Sequence, residues 1–252
     1  MIGALRRRAR ALFHRGRAHA CPVCGGVFRR FRPAGRPRRP NAKCPGCGSR
    51  ERDRFAALLL RRRTDLRAPP ERAARGPGPP PARTRVLHVA PEPAVEGILR
   101  SWPEVEYLSA DLRPGRAMVT MDVTRIDRPD GSFDAIWCSH VLEHVPDDRA
   151  AMAELRRVLA PGGWAAIGVP ILPGTTLEDP SVTSPAERAR VFGQHDHVRA
   201  YGMDVVGRLE EAGFSVDVVR PGDVAGAEER RRHLLPAEDQ PLFLCRAGPR
   251  GR

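Results

Sequence analysis

The fold of this chain is decided by residues 133–171, FDAIWCSHVLEHVPDDRAAMAELRRVLAPGGWAAIGVPI. Two continuous apolar runs, FDAIWCSH at 133–140 and GWAAIGVPI at 163–171, flank a polar segment in which apolar residues recur at helical spacing. Such runs are typical of strands buried on both faces of a sheet, and the helix between them is the crossover that parallel strands require. The stretch therefore predicts a β-α-β unit.

Outward from this unit, strand-like and helical segments continue to alternate along the carboxyl-terminal part of the chain. Strands are predicted at residues 85–90, 105–111, 117–123, 133–140, 163–171, 214–219 and 241–247, the third of them short. Helices are predicted from Val95, Ile98, Leu99 and Trp102, from Met152, Leu155 and Leu159 behind the caps Asp147 and Asp148, and over residues 201–213 up to Gly213. The pattern predicts an α/β fold, doubly wound around a mostly parallel sheet.

Four of the six cysteines stand in two matching motifs, CPVCG at 21–25 and CPGCG at 44–48. The two motifs together predict a zinc site with four thiolate ligands. The ligands are Cys21, Cys24, Cys44 and Cys47. Because thiolates fill all four positions, the zinc is expected to be structural. Two disulfides and a redox dithiol are the weaker alternatives, and iron is the competing metal.

The chain is predicted to comprise a small amino-terminal module and a larger carboxyl-terminal domain. In the module a short helix is expected, with Phe55, Leu58 and Leu59 on one face and Ser49 as its cap. The predicted segments are a basic lead-in (1–20), a zinc-ribbon-like module with the short helix (21–67), an exposed linker rich in proline, glycine and arginine (68–84) and the α/β domain (85–252).

The chain is strongly basic, with 43 lysines and arginines against 30 acidic residues and a formal charge of +13. This excess makes nucleic acid a candidate partner, because basic clusters bind phosphate backbones. Lys43 is the only lysine, however, and such an arginine bias also fits an ordinary solvated surface. No apolar run has the length of a membrane span or of an export signal, so a cytoplasmic location is expected.

Residues 121–171, MDVTRIDRPDGSFDAIWCSHVLEHVPDDRAAMAELRRVLAPGGWAAIGVPI, closely resemble the middle of class I S-adenosylmethionine-dependent methyltransferases of the type 11-like group. The resemblance covers roughly residues 85–247, and its most specific parts are SFDAIWCSHVLEHV and ELRRVLAPGGW. It implies a Rossmann-like, seven-stranded sheet, S-adenosylmethionine as cofactor and methyl transfer as activity. FGQHDHVRAYG at 192–202 resembles a bacterial subgroup that also carries the paired-cysteine module.

The resemblance also implies which residues contact the cofactor. Asp111, which closes a predicted strand, would hold the two ribose hydroxyls, and its spacing after the first predicted strand fits that role. Asp122 and Val123 would contact adenine through a carboxylate and a backbone amide, and Ser139 with His140 would line the floor. The full implied set is Ala90, Glu92, Asp111, Leu112, Asp122, Val123, Ser139 and His140.

The first predicted turn departs from the family pattern. The family has a glycine-rich turn at this place, whereas this chain reads HVAPEP at 88–93. Proline fixes φ and removes an amide donor. The turn is therefore expected either to bind the methionine end of the cofactor in a modified way, with Glu92 taking the amino group, or to bind the cofactor weakly.

Polar residues are dense in FGQHDHVRAYG, which is expected to lie over the acceptor pocket after the fifth strand. His195 and His197 are the candidate catalytic bases, because histidine exchanges a proton near neutral pH. Arg199 is a candidate clamp for an acidic group of the acceptor. A loop that is merely hydrogen-bonded within itself is the alternative.

His140 and His144, in SHVLEHV, have the i, i+4 spacing that can mark a metal-binding pair on a helix. The metalloprotease pattern has glutamate directly after its first histidine, whereas Val141 stands there in this chain. The segment therefore favours an ordinary turn after a strand.

Three functions compete at this point. The first is S-adenosylmethionine-dependent methylation of an unidentified acceptor, either a small molecule or a glycan-related compound. The second is methylation of ribosomal or transfer RNA, because a zinc ribbon with arginine-rich flanks also resembles ribosomal-RNA methyltransferases. The third is a noncatalytic binding protein whose altered turn no longer holds the cofactor.

Overall fold

The structure is a computed structural model that describes residues 11–35, 38–62, 83–237 and 239–247. Most of the predicted linker (68–84) lies outside the described residues. The chain divides into two compact units, called here the cysteine unit and the sheet unit. The cysteine unit consists of Met1–Thr64, Glu92–Ser101 and Arg220–Glu238, and the sheet unit of Asp65–Pro91, Trp102–Val219 and Asp239–Arg252.

The secondary structure alternates between strands and helices over most of the described chain. The strands are β1 Arg15–Ala20, β2 Val27–Phe28, β3 Arg32–Ala34, β4 Arg39–Lys43, β5 Thr84–Val89, β6 Val105–Asp111, β7 Val119–Thr120, β8 Phe133–Ser139, β9 Leu159–Gly168, β10 Leu177–Glu178, β11 Arg199–Ala200, β12 Phe214–Val219 and β13 Leu242–Ala247. The helices are α1 Glu51–Arg62, α2 Pro93–Arg100, α3 Asp148–Val158, α4 Pro185–Val191, α5 Val205–Glu211, α6 Pro221–Val224 and α7 Ala227–His233, with a 3-10 turn at Leu142–His144. Within the described residues, no helix combines the length and the apolar character needed to cross a membrane.

The sheet unit is built on a seven-stranded sheet in the order β12-β13-β9-β8-β5-β6-β7. Strands β5 to β9 pair in parallel, and β13 pairs antiparallel with both β9 and β12. The predicted Rossmann-like, mostly parallel seven-stranded sheet is thus confirmed. From β5 the chain runs to one side through β6 and β7, and it then continues on the other side through β8 and β9. The carboxyl ends of β5 and β8 therefore form the topological switch point.

Burial explains why the longest apolar runs became central strands. Every residue of β8 is buried, and most of the neighbouring β5 is buried as well. Strand β9 begins at Leu159, earlier than predicted, because Leu159 pairs with Phe133 ahead of a bulge. Gly163 is required within β9, since an added Cβ would come 2.6 Å from the carbonyl oxygen of Asp134.

Helix α3 begins where the sequence predicted, but only one of its two predicted caps acts as a cap. Asp147 Oδ1 accepts a hydrogen bond from the Ala150 amide at 2.9 Å. Asp148 is instead buried, and it accepts hydrogen bonds from the Tyr201 hydroxyl at 2.6 Å and from Arg208 at 3.1 Å. Asp148 therefore stabilises the interior of the sheet unit rather than the end of the helix.

The helix predicted at residues 201–213 is shorter in the structure, where α5 covers Val205–Glu211. Tyr201 is unavailable to a helix because it forms a parallel bridge with Ile171. Gly202 is held close to another loop, since an added Cβ there would come 2.1 Å from a backbone oxygen. These tertiary contacts, which the local sequence pattern does not contain, delay the start of the helix.

We expect Tyr201→Phe to lower the free energy of unfolding by about 1.5–3 kcal/mol, because a buried hydrogen bond to a charged group is lost. Burial, together with the Asp148 carboxylate, raises the pKa of Tyr201, so the hydroxyl stays protonated and donates to Asp148. Urea unfolding followed by tryptophan fluorescence measures the loss. Tyr107→Phe is the matched control, because its hydroxyl bonds the imidazole of His88 at 3.0 Å and a smaller loss of about 0.5–1.5 kcal/mol is expected. Equal losses in the two variants would contradict the assignment.

The cysteine unit places its two cysteine motifs at the ends of strands. The first motif lies between β1 and β2, which pair antiparallel, and the second lies between β4 and α1. Helix α1 packs against α2 and α6, and α7 packs against β1. The unit thus takes in three helices that lie far along the chain from the predicted module at 21–67. Its small core is Cys21, Phe28, Phe31 and Cys44, and the predicted face of α1 is also buried, namely Phe55, Leu58 and Leu59.

Ser49, the predicted cap of α1, lies against the cysteine motifs instead. Its Oγ is 3.2 Å from the Sγ atoms of both Cys21 and Cys47. The amide of Arg50 is bonded by the side chain of Asp53 at 2.8 Å. The Asp53 carboxylate, within the first turn, therefore accepts from the free amide at the start of the helix. The Ser49 hydroxyl instead contacts the sulfur atoms of Cys21 and Cys47.

Arg54, on α1, is a fully buried cation in the cysteine unit. Its guanidinium bonds only backbone carbonyl oxygens among the hydrogen bonds found in the described chain. Nε donates to His233 at 2.7 Å, Nη1 to Ala42 at 3.1 Å and to Ser49 at 3.0 Å, and Nη2 to Leu234 at 2.5 Å. The fork of guanidinium donors therefore ties α1 to two other segments of the same unit.

Candidate functional site

A cavity of about 720 Å³ opens in the sheet unit at the carboxyl ends of β5, β6, β7 and β8. This is the topological switch point, where doubly wound sheets bind their ligands. Its volume lies within the range of about 300–1,000 Å³ that small-molecule sites occupy. Six of the eight cofactor residues implied by the sequence line it, namely Ala90, Asp111, Leu112, Asp122, Val123 and His140.

Two carboxylates face this cavity, each held by a turn that follows a strand. Asp111 closes β6, and its Oδ1 accepts a hydrogen bond from the Arg113 amide at 2.8 Å. Asp122 follows β7, and its Oδ1 accepts from the amide and the hydroxyl of Thr124 at 2.9 and 2.8 Å. In both residues the hydrogen bonds found within the described chain use Oδ1 alone. The second carboxylate oxygen of each side chain is therefore available to a ligand.

The turns after β5 and β8 adopt a backbone conformation that favours glycine. Ala90 has φ +49° and His140 has φ +57°, although both carry a Cβ. Their amides donate to carbonyl oxygens of neighbouring strands, Ala90 to Ala110 at 2.7 Å and His140 to Gly168 at 2.8 Å. Strained residues of this kind concentrate at functional sites. The left-handed conformation is thus reached by Ala90 despite the prolines that follow it.

Two of the implied cofactor residues do not line the cavity. Ser139 ends β8 and is buried, and an added Cβ on Gly168 would come 3.1 Å from its Oγ. Glu92 belongs to the cysteine unit, where it is the N-cap of α2 without a side-chain capping bond. Pro93 opens α2, in the first turn where the missing amide of proline costs no helical hydrogen bond.

The histidine loop at 192–202 places its two candidate bases in different surroundings. The side chain of His195 is 73% exposed, and its Nδ1 lies 3.9 Å from Asp196 Oδ1. His197 is buried, and its Nδ1 is 3.0 Å from the carbonyl oxygen of Phe192. Burial lowers the pKa of His197, which favours the neutral imidazole. The two rings therefore differ in access to solvent.

Arg199, the candidate clamp for an acidic acceptor, uses its guanidinium for hydrogen bonds and an ion pair within the protein. It is buried and donates to the carbonyl oxygens of Leu142 at 2.9 Å and of Pro146 at 2.8 Å. It also forms an ion pair with Glu178 at 2.5 Å. These bonds hold the turn after β8 in place, so the residue positions the wall of the cavity.

A second, smaller cavity of about 140 Å³ lies beside this loop in the sheet unit. Glu143, His197 and Arg199 are among the residues that line it, whereas His144 and Asp196 line the larger cavity. The roles of His144 and Asp196 as lining residues were not predicted. Their signal in the sequence was weak, because the turn after β8 and the loop after β9 meet only in the folded chain.

The four cysteines of the two motifs form a compact cluster in the cysteine unit. All four Sγ atoms lie within 4.8 Å of one another, with Cys21 to Cys47 at 3.7 Å and Cys24 to Cys44 at 3.8 Å. A tetrahedral zinc ion with bonds of about 2.3 Å to sulfur separates its ligands by about 3.8 Å. The cluster therefore fits a tetrahedral ion, and the cysteines are free rather than paired in disulfides.

The two cysteine motifs have the same backbone geometry. Cys21 O accepts from the Gly25 amide at 2.8 Å, and Cys44 O accepts from the Gly48 amide at 3.0 Å. Both glycines have positive φ, +70° and +84°, which explains the glycine after each second cysteine. Hydrogen bonds from the Cys24, Cys44 and Cys47 thiols lower the pKa of Cys21 and favour its thiolate, the form that binds metals, whereas the hydrogen bonds to Cys21 raise the pKa of Cys24 and of Cys44.

Residues 95–167 match the profile of the family described as Methyltransferase domain. The matched residues include strands β6, β7 and β8 and all but the last residue of β9. Residues 102–167 of this match lie in the sheet unit, and residues 95–101 lie in the cysteine unit.

Two curated relatives match parts of the chain. An uncharacterized 37.1 kDa protein in transposon TN4556 of Streptomyces fradiae is 32% identical over 140 residues, which are 53% of this chain and 39% of that protein. The 27-O-demethylrifamycin SV methyltransferase of Amycolatopsis mediterranei is 31% identical over 125 residues, 47% of this chain and 43% of that enzyme. The chain thus spans about two fifths of the length of these relatives.

Among solved structures, the 1,6-didemethyltoxoflavin-N1-methyltransferase of Burkholderia thailandensis, determined with S-adenosylhomocysteine, aligns with a TM-score of 0.45 at 17% identity. The alignment covers 67% of this chain and 72% of that one.

Proposed function

We propose that this chain, whose residues 95–167 match a methyltransferase domain, transfers a methyl group from S-adenosylmethionine to an acceptor. The observation that carries the proposal is the pair of carboxylates, Asp111 and Asp122, on a cavity of about 720 Å³ at the switch point of the sheet. Each carboxylate closes or follows a strand of that sheet and has one oxygen left for a ligand.

In this proposal five residues of the cavity contact the ribose, the adenine or the floor of the cofactor site. Asp111 accepts hydrogen bonds from the two ribose hydroxyls, and Asp122 with the Val123 amide holds the adenine. Leu112 packs against the ribose and adenine, and His140 lies on the floor, where its backbone is held by the neighbouring strand. When bound, the cofactor supplies a methyl group on a sulfonium, and the protein's task is to align an acceptor with it and exclude water.

The methionine end of the cofactor lies, in this proposal, against the Ala90 turn. Ala90 has the backbone conformation of a glycine there, which supports close approach of the main chain to a ligand. Pro91 lines the cavity but offers no amide. Glu92 and Ser139 stay predicted cofactor contacts without lining the cavity.

The acceptor is proposed to be a small molecule or a glycan-related compound. One relative is named for a small-molecule substrate, 27-O-demethylrifamycin SV, which supports this class. An acceptor hydroxyl or amine must lose a proton on methylation, and His195 and His197 stay the predicted bases. His195, exposed beside Asp196 of the cavity wall, has the access to solvent that proton exchange needs.

A second candidate function is methylation of ribosomal or transfer RNA. The observation that favours it is the formal charge of +13, with arginine as almost the whole basic complement. A steep fall of RNA affinity with rising salt would support this candidate, because counterions are released when phosphates are bound. If the protein does not bind RNA, or binds it with an affinity that does not change with salt, the RNA candidate is rejected and the small-molecule acceptor is retained.

The four-cysteine cluster is proposed to hold a structural zinc ion. Sulfur separations of 3.7 and 3.8 Å support tetrahedral thiolate coordination. With its four protein ligands such an ion has no position for substrate, so the zinc stabilises the cysteine unit and takes no part in methyl transfer.

Isothermal calorimetry with the full chain tests the proposed function directly. Saturable binding of S-adenosylmethionine and of S-adenosylhomocysteine is the expected result. No heat at millimolar ligand would reject the cofactor assignment and favour the noncatalytic binding protein.

We expect Asp111→Ala to weaken binding of S-adenosylmethionine by about 5- to 150-fold, equivalent to about 1–3 kcal/mol, because both ribose hydroxyls lose their acceptor. The same calorimetric titration measures the change. Asp127→Ala is the matched control, since Asp127 is an exposed aspartate of the same unit that does not line the cavity. If both variants bind as the wild type does, Asp111 does not hold the ribose.

A further inference from the structure

Three side chains of the sheet unit converge beside the larger cavity in an arrangement that methyl transfer does not require. One ligand atom each from Glu143, His144 and His197 lies within 4.8 Å of the other two. Glu143 and His144 lie on the 3-10 turn after β8, and His197 comes from the segment between α4 and β11. Two imidazoles and a carboxylate are the ligand set of many three-residue sites for divalent transition metals.

In each of these side chains, one polar atom is already bonded and the other is left for the cluster. Nδ1 of His197 bonds the carbonyl oxygen of Phe192 at 3.0 Å, and Nδ1 of His144 bonds that of Asp196 at 3.2 Å. A carbonyl accepts only from a protonated nitrogen, so both rings carry the proton on Nδ1 when neutral and keep the lone pair on Nε2. Backbone carbonyls orient metal-binding histidines in this way.

Two of the three atoms left over are buried and lack partners. His197 Nε2 and Glu143 Oε2 have no hydrogen-bond partner in the described structure, and their residues are 3% and 1% exposed. Glu143 Oε1 is bonded, by His140 Nδ1 at 3.1 Å. A buried carboxylate oxygen without a partner is costly, and a cation at this point would offset that cost for both atoms.

We propose that Glu143, His144 and His197 bind a divalent transition-metal ion, with zinc as its first candidate, through Glu143 Oε2 and the two Nε2 atoms. Three protein ligands leave at least one coordination position for water or for an oxygen of a bound molecule. His144 lines the larger cavity, and the other two ligands line the smaller one. The ion therefore lies in the wall between the two cavities. The site is distinct from the four-cysteine cluster and does not depend on methyl transfer.

Metal content of the full chain, purified with zinc and measured by elemental analysis, tests this site. Two ions per chain are expected in the wild type, one at the cysteines and one at the new site. Glu143→Gln keeps the volume of the side chain but removes the charged ligand, and one ion per chain is expected. His197→Gln is the second variant, with the same expectation. His195→Ala, in the same loop but exposed, is the control and should retain two ions.

Cobalt substitution shows which site an ion occupies. Thiolate-to-cobalt charge-transfer bands report the cysteines, whereas a nitrogen and oxygen site gives only weak ligand-field bands. Glu143→Gln and His197→Gln should lose the weak absorption contributed by the nitrogen and oxygen site and keep the bands of the thiolate site, which also shows that the variants are folded. One ion per chain in the wild type, with thiolate bands alone, would overturn the proposal, as would two ions in both variants. Calorimetry with S-adenosylmethionine is a separate readout, so failure here leaves the proposed function untouched.

Discussion

Removal of the metal from the four-cysteine cluster is expected to unfold the cysteine unit. In the described part of the chain, the hydrophobic cluster at the two motifs has four buried members, Cys21, Phe28, Phe31 and Cys44, which is too little apolar burial to order two hairpins. A structural zinc ion contributes about 10–16 kcal/mol in small domains of this kind, and without it their folded state is lost. We expect Cys44→Ser, or a strong chelator, to abolish hydrogen-exchange protection in peptides from residues 11–62.

The control for this experiment is a cysteine outside the cluster. Cys245, in β13, is buried, and burial raises the pKa of its thiol, so it is a poor metal ligand. Cys245→Ala should leave exchange in residues 11–62 unchanged. Titration with a thiol reagent shows when the metal has left, because four thiols become reactive together. Protection that persists after this release would mean that the unit folds on its own core.

Arg54→Met is expected to lower the free energy of unfolding of the cysteine unit by about 3–5 kcal/mol. The variant keeps the apolar stem but leaves the carbonyl oxygens of Ala42, Ser49, His233 and Leu234 without their donor. Breaking a buried charged network by removing one partner has a cost of this size. The buried guanidinium also stacks over the Phe31 ring at 4.8 Å, and this contact is lost too.

A neighbouring arginine on the same helix is the matched control for Arg54. The side chain of Arg52 is 44% exposed, and its ion pair with Asp53, at 3.7 Å, is weak. Arg52→Met should therefore change stability by less than about 0.5 kcal/mol. Hydrogen exchange in α1 under increasing urea measures both variants. Similar stability of the Arg54→Met and Arg52→Met variants would show that water molecules replace the guanidinium of Arg54 as hydrogen-bond donors to these carbonyl oxygens.

The sheet could be predicted from the sequence because its signal is local. Strand β8 is a continuous apolar run, so its burial on both faces can be read directly from residues 133–139. The cysteine cluster could be predicted for the same reason, since each motif sets two sulfurs within four residues. Likewise, the position of Asp111 at the end of β6, on the cavity, could be predicted because the boundaries of that strand were predicted without error, whereas its contact with the ribose stays a prediction.

Features that depend on distant segments could not be predicted. Ser49 had the pattern of a helix cap, but its hydroxyl lies between sulfurs that come from both motifs. Tyr201 had the pattern of a helix start, but its bridge to Ile171 holds it at a strand end. Glu143 and His197 stand more than fifty positions apart, so only the folded chain brings their unpartnered atoms together.

The guanidinium of Arg54 also constrains how the protein is made. Two of its four acceptors, His233 and Leu234, are synthesised 179 and 180 positions after Arg54. A nascent chain that has not yet reached these two residues therefore lacks two of the carbonyl acceptors of Arg54, and we expect its cysteine unit to be incompletely folded. A truncated fragment that contains both cysteine motifs but ends before His233 would lack the same two acceptors. We therefore expect a natively folded fragment to require helices α6 and α7 as well.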